Sequence, residues 1–406
     1  MAKKKMWQIF EADGNTMGAA AAAHAGIEVA SAFPITPCTQ VPERIGDHIK
    51  RKELDAECLR MDGEDSAGAA CAGSSLSGAR TIDVTSSQGL LYKAQNLYCW
   101  AGLRCPVMLL VATRAINSPV NIHDDFSDVM SQRDAGQIMF FAKNPQEVYD
   151  FELLGFKIAE DLRVQLPFWV AYDGFKTSHS QTINKILSPD GLKVFRPWLG
   201  VYKRPQSVLD FEHPIVAGGL VMPDHYLEAK YGQHNGMRQA PKVIEEATKY
   251  FSKHFWSVYS DTEEFMVDDA DYVAICLGND FGIFQTAVRL ARSQGKKVGA
   301  IRIVRYRPFP VKKIRKLLAG KKAVAVFDKA LSSGAPCGPL GSDVCSALYN
   351  SGLNIPVRAF VYGLGGNSAT EPDVVGEIYE SLKHPKKWMK EIEPCWIGVR
   401  GGSDKI

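Results

Sequence analysis

Short apolar runs alternate with amphipathic stretches along most of the chain. Val107–Ala112 and Leu166–Tyr172 contain no charged residue, which fits strands covered on both faces, as in a parallel sheet. Ile27–Phe33 and Thr81–Thr85 read as shorter buried strands, and Val41–Arg51 and Gln146–Asp161 as helices. Strands alternating with helices to about residue 185 predict a doubly wound α/β domain over 1–185. From Ser188 to Tyr259 prolines space out aromatic and polar residues, and helical periodicity returns only at Lys242–Phe255. That texture predicts an ordered connector over 186–264. The rhythm restarts at Tyr272–Gly278 and continues through Thr286–Gln294, Val298–Val304, Val311–Leu318, Ala323–Asp328 and Val357–Tyr362. A second α/β domain with a C-terminal tail is expected over 265–406.

Residues 61–91 are the most unusual stretch. After Glu64, the helix opened by Asp65 or Ser66 as N-cap is almost all Ala, Gly, Ser and Cys up to Gly78. Such a helix buries little apolar area; its use is close approach of backbone or of a flat ligand. Ser86-Ser87-Gln88-Gly89 then turns from a strand into the next helix, where free N–H groups face outward. Glu64 just ahead of the small helix is either a charge–dipole capping residue or a carboxylate held for chemistry. Thr36 in Pro34-Ile35-Thr36-Pro37 falls at a strand-to-helix switch, where α/β proteins present ligand-binding groups; its other reading is a plain N-cap. Pro37 suits the first turn of the following helix. Arg114 emerges at the carboxyl end of the 107–112 strand. The acidic segment Asn117–Asp128 fits no standard metal-ligand spacing.

Composition narrows the function classes. With 406 residues, 46% of them hydrophobic and 23% charged, and a net charge of +3, the chain has the makings of a globular protein of two or three domains. The small net charge gives no argument for nucleic acid or for a membrane surface. No apolar run approaches the ~20 residues that span a bilayer. Lys3-Lys4-Lys5 reads as a solvated tail leading into a first strand. The nine cysteines are scattered with no C-x-x-C pair, which predicts reduced thiols, a cytoplasmic location and no iron–sulfur cluster on this chain.

The motifs taken together are similar to the α subunit of the 2-oxoacid:acceptor, or pyruvate:ferredoxin-type, oxidoreductase family. They are Pro34-Ile35-Thr36-Pro37, Glu64-x-Ser66-Ala67, Gly78-Ala79-Arg80-Thr81, Thr85 to Leu90, Arg114, Asp125-x-x-Asp128 and Gln132-Arg133-Asp134-x-Gly136. Asp173-Gly174-Phe175, Ser178-His179, Arg307-Pro308-Phe309-Pro310 and Gly363-Leu364-Gly365-Gly366 continue the series. The resemblance implies a thiamine-diphosphate pyrimidine-binding domain followed by a transketolase-C-terminal-like domain. It further implies that Glu64 meets N1′ of the aminopyrimidine and favours the tautomer that removes the C2 proton. Ser87, Gln88 and Gly89 would help hold the cofactor, and Thr36 and Arg114 the substrate carboxylate and carbonyl. The chain has no Gly-Asp-Gly followed by Asn-Asn, the usual Mg2+–diphosphate motif of thiamine enzymes. The resemblance therefore implies half an active site. A β subunit would carry the diphosphate and Mg2+, and γ and ferredoxin-like δ subunits the 4Fe-4S clusters. The expected reaction is oxidative decarboxylation of a 2-oxoacid to acyl-CoA and CO2, with coenzyme A as acyl acceptor and electrons passing to ferredoxin or an NAD-linked subunit. A non-catalytic assembly subunit is the alternative. Phe33 and Cys38 stand where pyruvate-type members more often carry Tyr and Ser. Lys93, Asn96 and Trp100 share a helix face, and Trp100 or Phe33 beside the site would favour an aromatic 2-oxoacid such as phenylglyoxylate over pyruvate.

Overall fold

The computed structural model describes residues 5–367, Val374, Gly376, 382–389 and 393–399; Lys3, Lys4 and residues 400–406 of the expected tail lie outside them. The chain divides into two compact units, Met1–Thr113 with Ser131–Tyr259, and Arg114–Met130 with Ser260–Ile406. The elements up to residue 259 are β1 (Trp7–Ala12), α1 (Gly14–Ala25), β2 (Val29–Ala32), α2 (Gln40–Lys50), β3 (Glu57–Arg60), α3 (Glu64–Ser77), β4 (Thr81–Thr85), α4 (Ser87–Tyr92) and α5 (Ala94–Gly102). They continue with β5 (Met108–Thr113), α6 (Ser127–Ser131), β6 (Ile138–Ala142), α7 (Pro145–Ala159), β7 (Phe168–Asp173), β8 (Thr182–Leu187), α8 (Pro189–Leu199) and α9 (Pro223–His254).

In the first unit a parallel sheet runs in the order β6-β7-β5-β4-β2-β3. Every residue of β4, β5 and β7 is buried, as strands covered on both faces require. β1 pairs antiparallel with β8 in a separate ribbon. α1 is alanine-rich and lies against α7, and it also meets the sheet closely: a Cβ on Gly18 would stand 2.8 Å from Cδ1 of Leu110 in β5. Asp13 caps α1 by accepting the Thr16 N–H at 2.7 Å, and Gly26 closes it in the left-handed conformation, φ 68°. Arg80 is structural: its guanidinium bonds both carboxylate oxygens of Glu160, at 2.6 and 2.7 Å, and the Ala25 and Gly200 carbonyls.

Of the connector expected over 186–264, residues 186–259 belong to this first unit and hold the long helix α9, and residues 260–264 belong to the second. Pro197 and Pro241 sit inside α8 and α9, which is why the sequence reads as broken there. Trp198 stacks on Tyr250 of α9 at 4.8 Å, and Trp256 and Tyr259 donate to Asp150 of α7.

The second unit contains β9 (Thr262–Phe265), β10 (Tyr272–Cys276), α10 (Phe281–Ser293), β11 (Val298–Ile303), β12 (Arg305–Arg307), α11 (Val311–Leu318), β13 (Ala323–Asp328), α12 (Pro339–Leu348), β14 (Val357–Val361) and β15 (Cys395–Trp396). Its sheet runs β15-β14-β13-β10-β11-β9, with only β9 antiparallel to its neighbour. Phe284, Phe327, Phe360 and Tyr362 form the centre of its core.

Candidate active site

In the first sheet the chain leaves β2 toward β3 on one side and β4 toward β5 on the other. The β2/β4 boundary is therefore the topological switch point, where carboxyl-end loops part and leave room for a ligand. The loop with Thr36 follows β2, the Ser86–Gly89 turn follows β4, and Glu64 follows β3, the neighbour of β2.

Glu64 is the first residue of α3, behind an extended Gly63. The expected Asp65 or Ser66 cap does not form. The Asp65 carboxylate instead accepts from Asn96 Nδ2 at 2.7 Å, and Ser66 bonds Asp62, holding the Asp62 carboxyl below its usual value. Opposite Glu64 is Gly89. A Cβ there would lie 2.7 Å from Glu64 Oε1 and 2.6 Å from Thr85 Oγ1, so only glycine lets the carboxylate and the Thr85 hydroxyl approach α4. Ser87, with a left-handed φ of 49°, donates to Gln88 Oε1 at 2.7 Å and so turns the Gln88 amide. Gln88 Nε2 and Thr85 Oγ1 are buried with no hydrogen-bond partner among the described residues. A half-buried carboxylate and two buried polar atoms without a hydrogen-bond partner among the described residues match what an aminopyrimidine requires: an acidic partner and hydrogen-bonding groups. Glu64, Ser87, Gln88 and Gly89 are thus brought together. Thr85, absent from the expected site residues, lies beside them, and its place ahead of Ser86-Ser87-Gln88-Gly89 is the signal the sequence offers.

Thr36 is exposed on a firmly held loop. Asn15 Nδ2 donates to the Pro37 carbonyl at 2.8 Å, and Tyr172 Oη donates to Asn15 Oδ1 at 2.9 Å. A side chain on Gly174 would meet Pro37 Cγ at 2.8 Å. Pro37 lies in the turn over residues 36–39 and not in the first turn of α2, which begins at Gln40. Arg114 belongs to the second unit. Its backbone N–H donates to Asp128 Oδ2 at 3.0 Å and its Nε to the Asn121 carbonyl at 3.2 Å.

The face of α5 that was expected to border an aromatic substrate is internal. Lys93 is fully buried and paired with Asp83 of β4 at 2.6 Å. Burial pushes the Asp83 carboxyl up from its ordinary value, and Lys93 opposes that shift. Trp100 is 0% exposed and donates Nε1–H to the Gly68 carbonyl at 2.9 Å. Trp100 therefore pins α3 to α5 and is not available to stack on a substrate.

Residues 20–249 match the family described as pyruvate flavodoxin/ferredoxin oxidoreductase, thiamine diphosphate-binding, and residues 270–374 match pyruvate:ferredoxin oxidoreductase core domain II. The pyruvate synthase subunit PorA of Pyrococcus furiosus is 38% identical over 390 residues, 95% of this chain and 96% of that protein. The chain is an α subunit of the 2-oxoacid:ferredoxin oxidoreductase family. The ketoisovalerate oxidoreductase subunit VorA of Pyrococcus abyssi is 36% identical over 383 residues, covering 94% of this α subunit and 95% of VorA. The fold is shared with the 2-oxoglutarate:ferredoxin oxidoreductase from Magnetococcus marinus, with a TM-score of 0.65 at 19% identity over 93% of this chain and 66% of that one. A split-gene transketolase overlays with a TM-score of 0.51 at 13% identity, over 91% of this chain and 98% of that one. The expected thiamine-diphosphate-binding α/β domain and the transketolase-like second domain are both borne out. Among the described residues no helix is long and apolar enough to cross a membrane.

Proposed function

We propose that this α subunit binds the aminopyrimidine of thiamine diphosphate through Glu64, Ser87, Gln88 and Gly89. Within a multi-subunit enzyme it would serve the oxidative decarboxylation of an aliphatic 2-oxoacid to acyl-CoA and CO2. The observation that carries this reading is the Glu64 carboxylate set against a side-chain-free Gly89, with Gln88 Nε2 and Thr85 Oγ1 unpartnered beside the same turn. When bound, thiamine diphosphate supplies an electron-accepting ring that makes loss of CO2 from a 2-oxoacid possible. Glu64 holds or releases a proton at its carboxylate, Thr85 and Gln88 orient the ring, and Gly89 leaves the room that the carboxylate needs beside α4. Thr36 and Arg114 bind the 2-oxoacid, the guanidinium because its planar fork of donors matches a carboxylate.

Diphosphate, Mg2+ and 4Fe-4S clusters belong in this proposal to β, γ and δ partner subunits, with ferredoxin as the final acceptor. Support comes from the absence of a Gly-Asp-Gly…Asn-Asn motif and of clustered cysteines in the sequence, and from relatives named as subunits. The exposed Leu209, Phe211, Val216, Leu220 and Leu227 also support burial of the 209–227 segment against a partner. An aliphatic substrate is favoured because the relatives are named for pyruvate and ketoisovalerate, and because Trp100 is committed to the core. The test is 2-oxoacid- and coenzyme A-dependent ferredoxin reduction by the purified native complex, across pyruvate, 2-oxoisovalerate, 2-oxoglutarate and phenylglyoxylate. Turnover is expected with an aliphatic member. No turnover with any of them would reject the function, and preference for phenylglyoxylate would reject the substrate class.

A further inference from the structure

The Gly363-Leu364-Gly365-Gly366 run is not a nucleotide loop, and nothing in the cofactor site uses it. Its partners lie in the segment that begins with Arg114, within the same unit. Gly365 and Gly366 have φ of 58° and 85°, conformations that side-chain-bearing residues rarely take. They also have no room for a side chain. A Cβ on Gly365 would stand 2.3 Å from Asn121 Nδ2, and one on Gly366 2.7 Å from His123 Cβ. Hydrogen bonds run both ways across this contact. Asn121 Nδ2 donates to the Gly365 carbonyl at 3.0 Å, Gly365 N–H to Asp125 Oδ2 at 3.1 Å, and Gly366 N–H to the Asp124 carbonyl at 2.8 Å.

A second anchor lies beside the first. Lys329, at the end of β13 and 2% exposed, pairs with Asp124 and, at 3.2 Å, with Asp280 at the start of α10. Its carbonyl accepts the Phe126 N–H at 2.7 Å, and a Cβ on Gly363 would press on its Cγ at 3.1 Å. The clamped segment in turn holds Arg114, through the Asn121 carbonyl to its Nε and Asp128 Oδ2 to its N–H.

We infer that the Gly363–Gly366 turn and Lys329 are positioning residues for Arg114, so that the second unit sets affinity for the 2-oxoacid through the 114–130 segment. This rests on the reading of Arg114 as the group that binds the substrate carboxylate. The clamp fixes the Asn121 carbonyl; that carbonyl fixes the guanidinium; and a guanidinium displaced by a fraction of an ångström loses its fork-to-carboxylate match. Glu64 and the cofactor turn are not part of the chain of contacts, so loosening the clamp acts on substrate and leaves cofactor chemistry alone.

The experiment uses the whole complex with three variants: Gly365→Ala, Asn121→Ala and Arg114→Ala. Asn121→Ala keeps the backbone carbonyl that Arg114 uses but removes the amide that ties it to Gly365; Gly365→Ala forces the turn away from Asn121. Both are expected to raise KM for the 2-oxoacid about threefold to thirtyfold. kcat should change less, and hydrogen–deuterium exchange at the cofactor C2 should stay at the wild-type rate. A purely structural role would lower the amount of folded complex and leave KM of the remainder unchanged. An unchanged KM in folded Asn121→Ala, with Arg114→Ala raising KM, overturns the clamp and leaves the Arg114 reading intact. If Arg114→Ala itself leaves KM unchanged, the Arg114 reading fails and the clamp inference with it. Where Gly365→Ala does not fold, Asn121→Ala decides.

Discussion

Glu64→Gln separates the two roles a carboxylate at the start of a helix can have. Gln keeps the shape, so the packing against Gly89 and Thr85 survives; only the charge and the proton-holding oxygen are lost. As a first-turn acid on α3, Glu64 contributes at most about 0.3–1 kcal/mol through the helix dipole, toward the low end because it is half exposed. Removing it therefore shifts Tm by roughly 1–3 °C for a unit of this size. As the carboxylate that governs proton removal from the cofactor, its loss costs about 10²–10⁴-fold, or about 3–5 kcal/mol of barrier. The two magnitudes are far enough apart to be told from one measurement.

The assay is hydrogen–deuterium exchange at C2 of thiamine diphosphate in the assembled complex, quenched in acid and read by NMR, alongside the melting temperature. The expected outcome is exchange slowed by at least a hundredfold with Tm nearly unchanged. Exchange within about twofold of wild type would show Glu64 to be a capping residue and sink the assignment. Gly89→Ala is the geometric control. It leaves the carboxylate in place chemically, but its Cβ at 2.7 Å from Oε1 and 2.8 Å from Cγ forces the side chain to move. Exchange should then fall about ten- to a hundredfold, the scale of a small misplacement.

Three further outcomes follow from buried polar groups. Lys93→Met leaves Asp83 buried and unpaired, and should cost about 3–5 kcal/mol in denaturant unfolding; the Lys93→Met/Asp83→Leu double variant should recover most of it. Glu152 of α7 is fully buried with neither oxygen partnered among the described residues, and burial holds its carboxyl well above the usual value. Burial favours the protonated form in the folded chain, so the wild type keeps this contribution below the ordinary value of 4.5 and loses it as pH rises. Glu152→Met should therefore stabilise by about 1–3 kcal/mol, and by more at pH 8 than at pH 5; a gain that shrinks with rising pH would contradict the argument. Arg80→Met, breaking the two-pronged bond to Glu160, should destabilise by about 3–5 kcal/mol without altering KM of the folded remainder.

What could be read from the sequence followed from burial on both faces. β5 and β7 are apolar up to their last residues, Thr113 and Asp173, and α11 and β13 fall where their periodicity puts them, because nothing competes with the pattern there. β3 was invisible. Glu57-Cys58-Leu59-Arg60 is a sheet-edge strand of four residues, two of them charged, and gives no alternation to detect. α9 was half seen because Pro241 lies inside it, and a proline in a long helix reads as a boundary from sequence. At the site, the residue types in the Glu64 and Ser86–Gly89 motifs were legible. Their mutual approach was not, because it depends on the absence of a side chain at position 89.

Lys93 shows how a misreading of this kind can be corrected from sequence. A lysine on a helix after a turn is ordinarily solvated, and with Trp100 a turn and more away the face looked like a site wall. Yet Asp83 stands in the middle of Thr81–Thr85, a strand whose every position is buried. A carboxylate in such a strand must be neutral or paired, since an isolated buried charge costs far more than one domain can spare. Lys93, ten residues on, is near enough in sequence to be the partner, and pairing it pulls the start of α5 under β4. The helical period then turns Asn96 and Trp100 inward with it, toward Asp65 and Gly68 of α3. Two of the residues that raise the expectation of an aromatic substrate, Asn96 and Trp100, therefore hold the Glu64 helix in place, and Lys93 ties the start of their helix to β4.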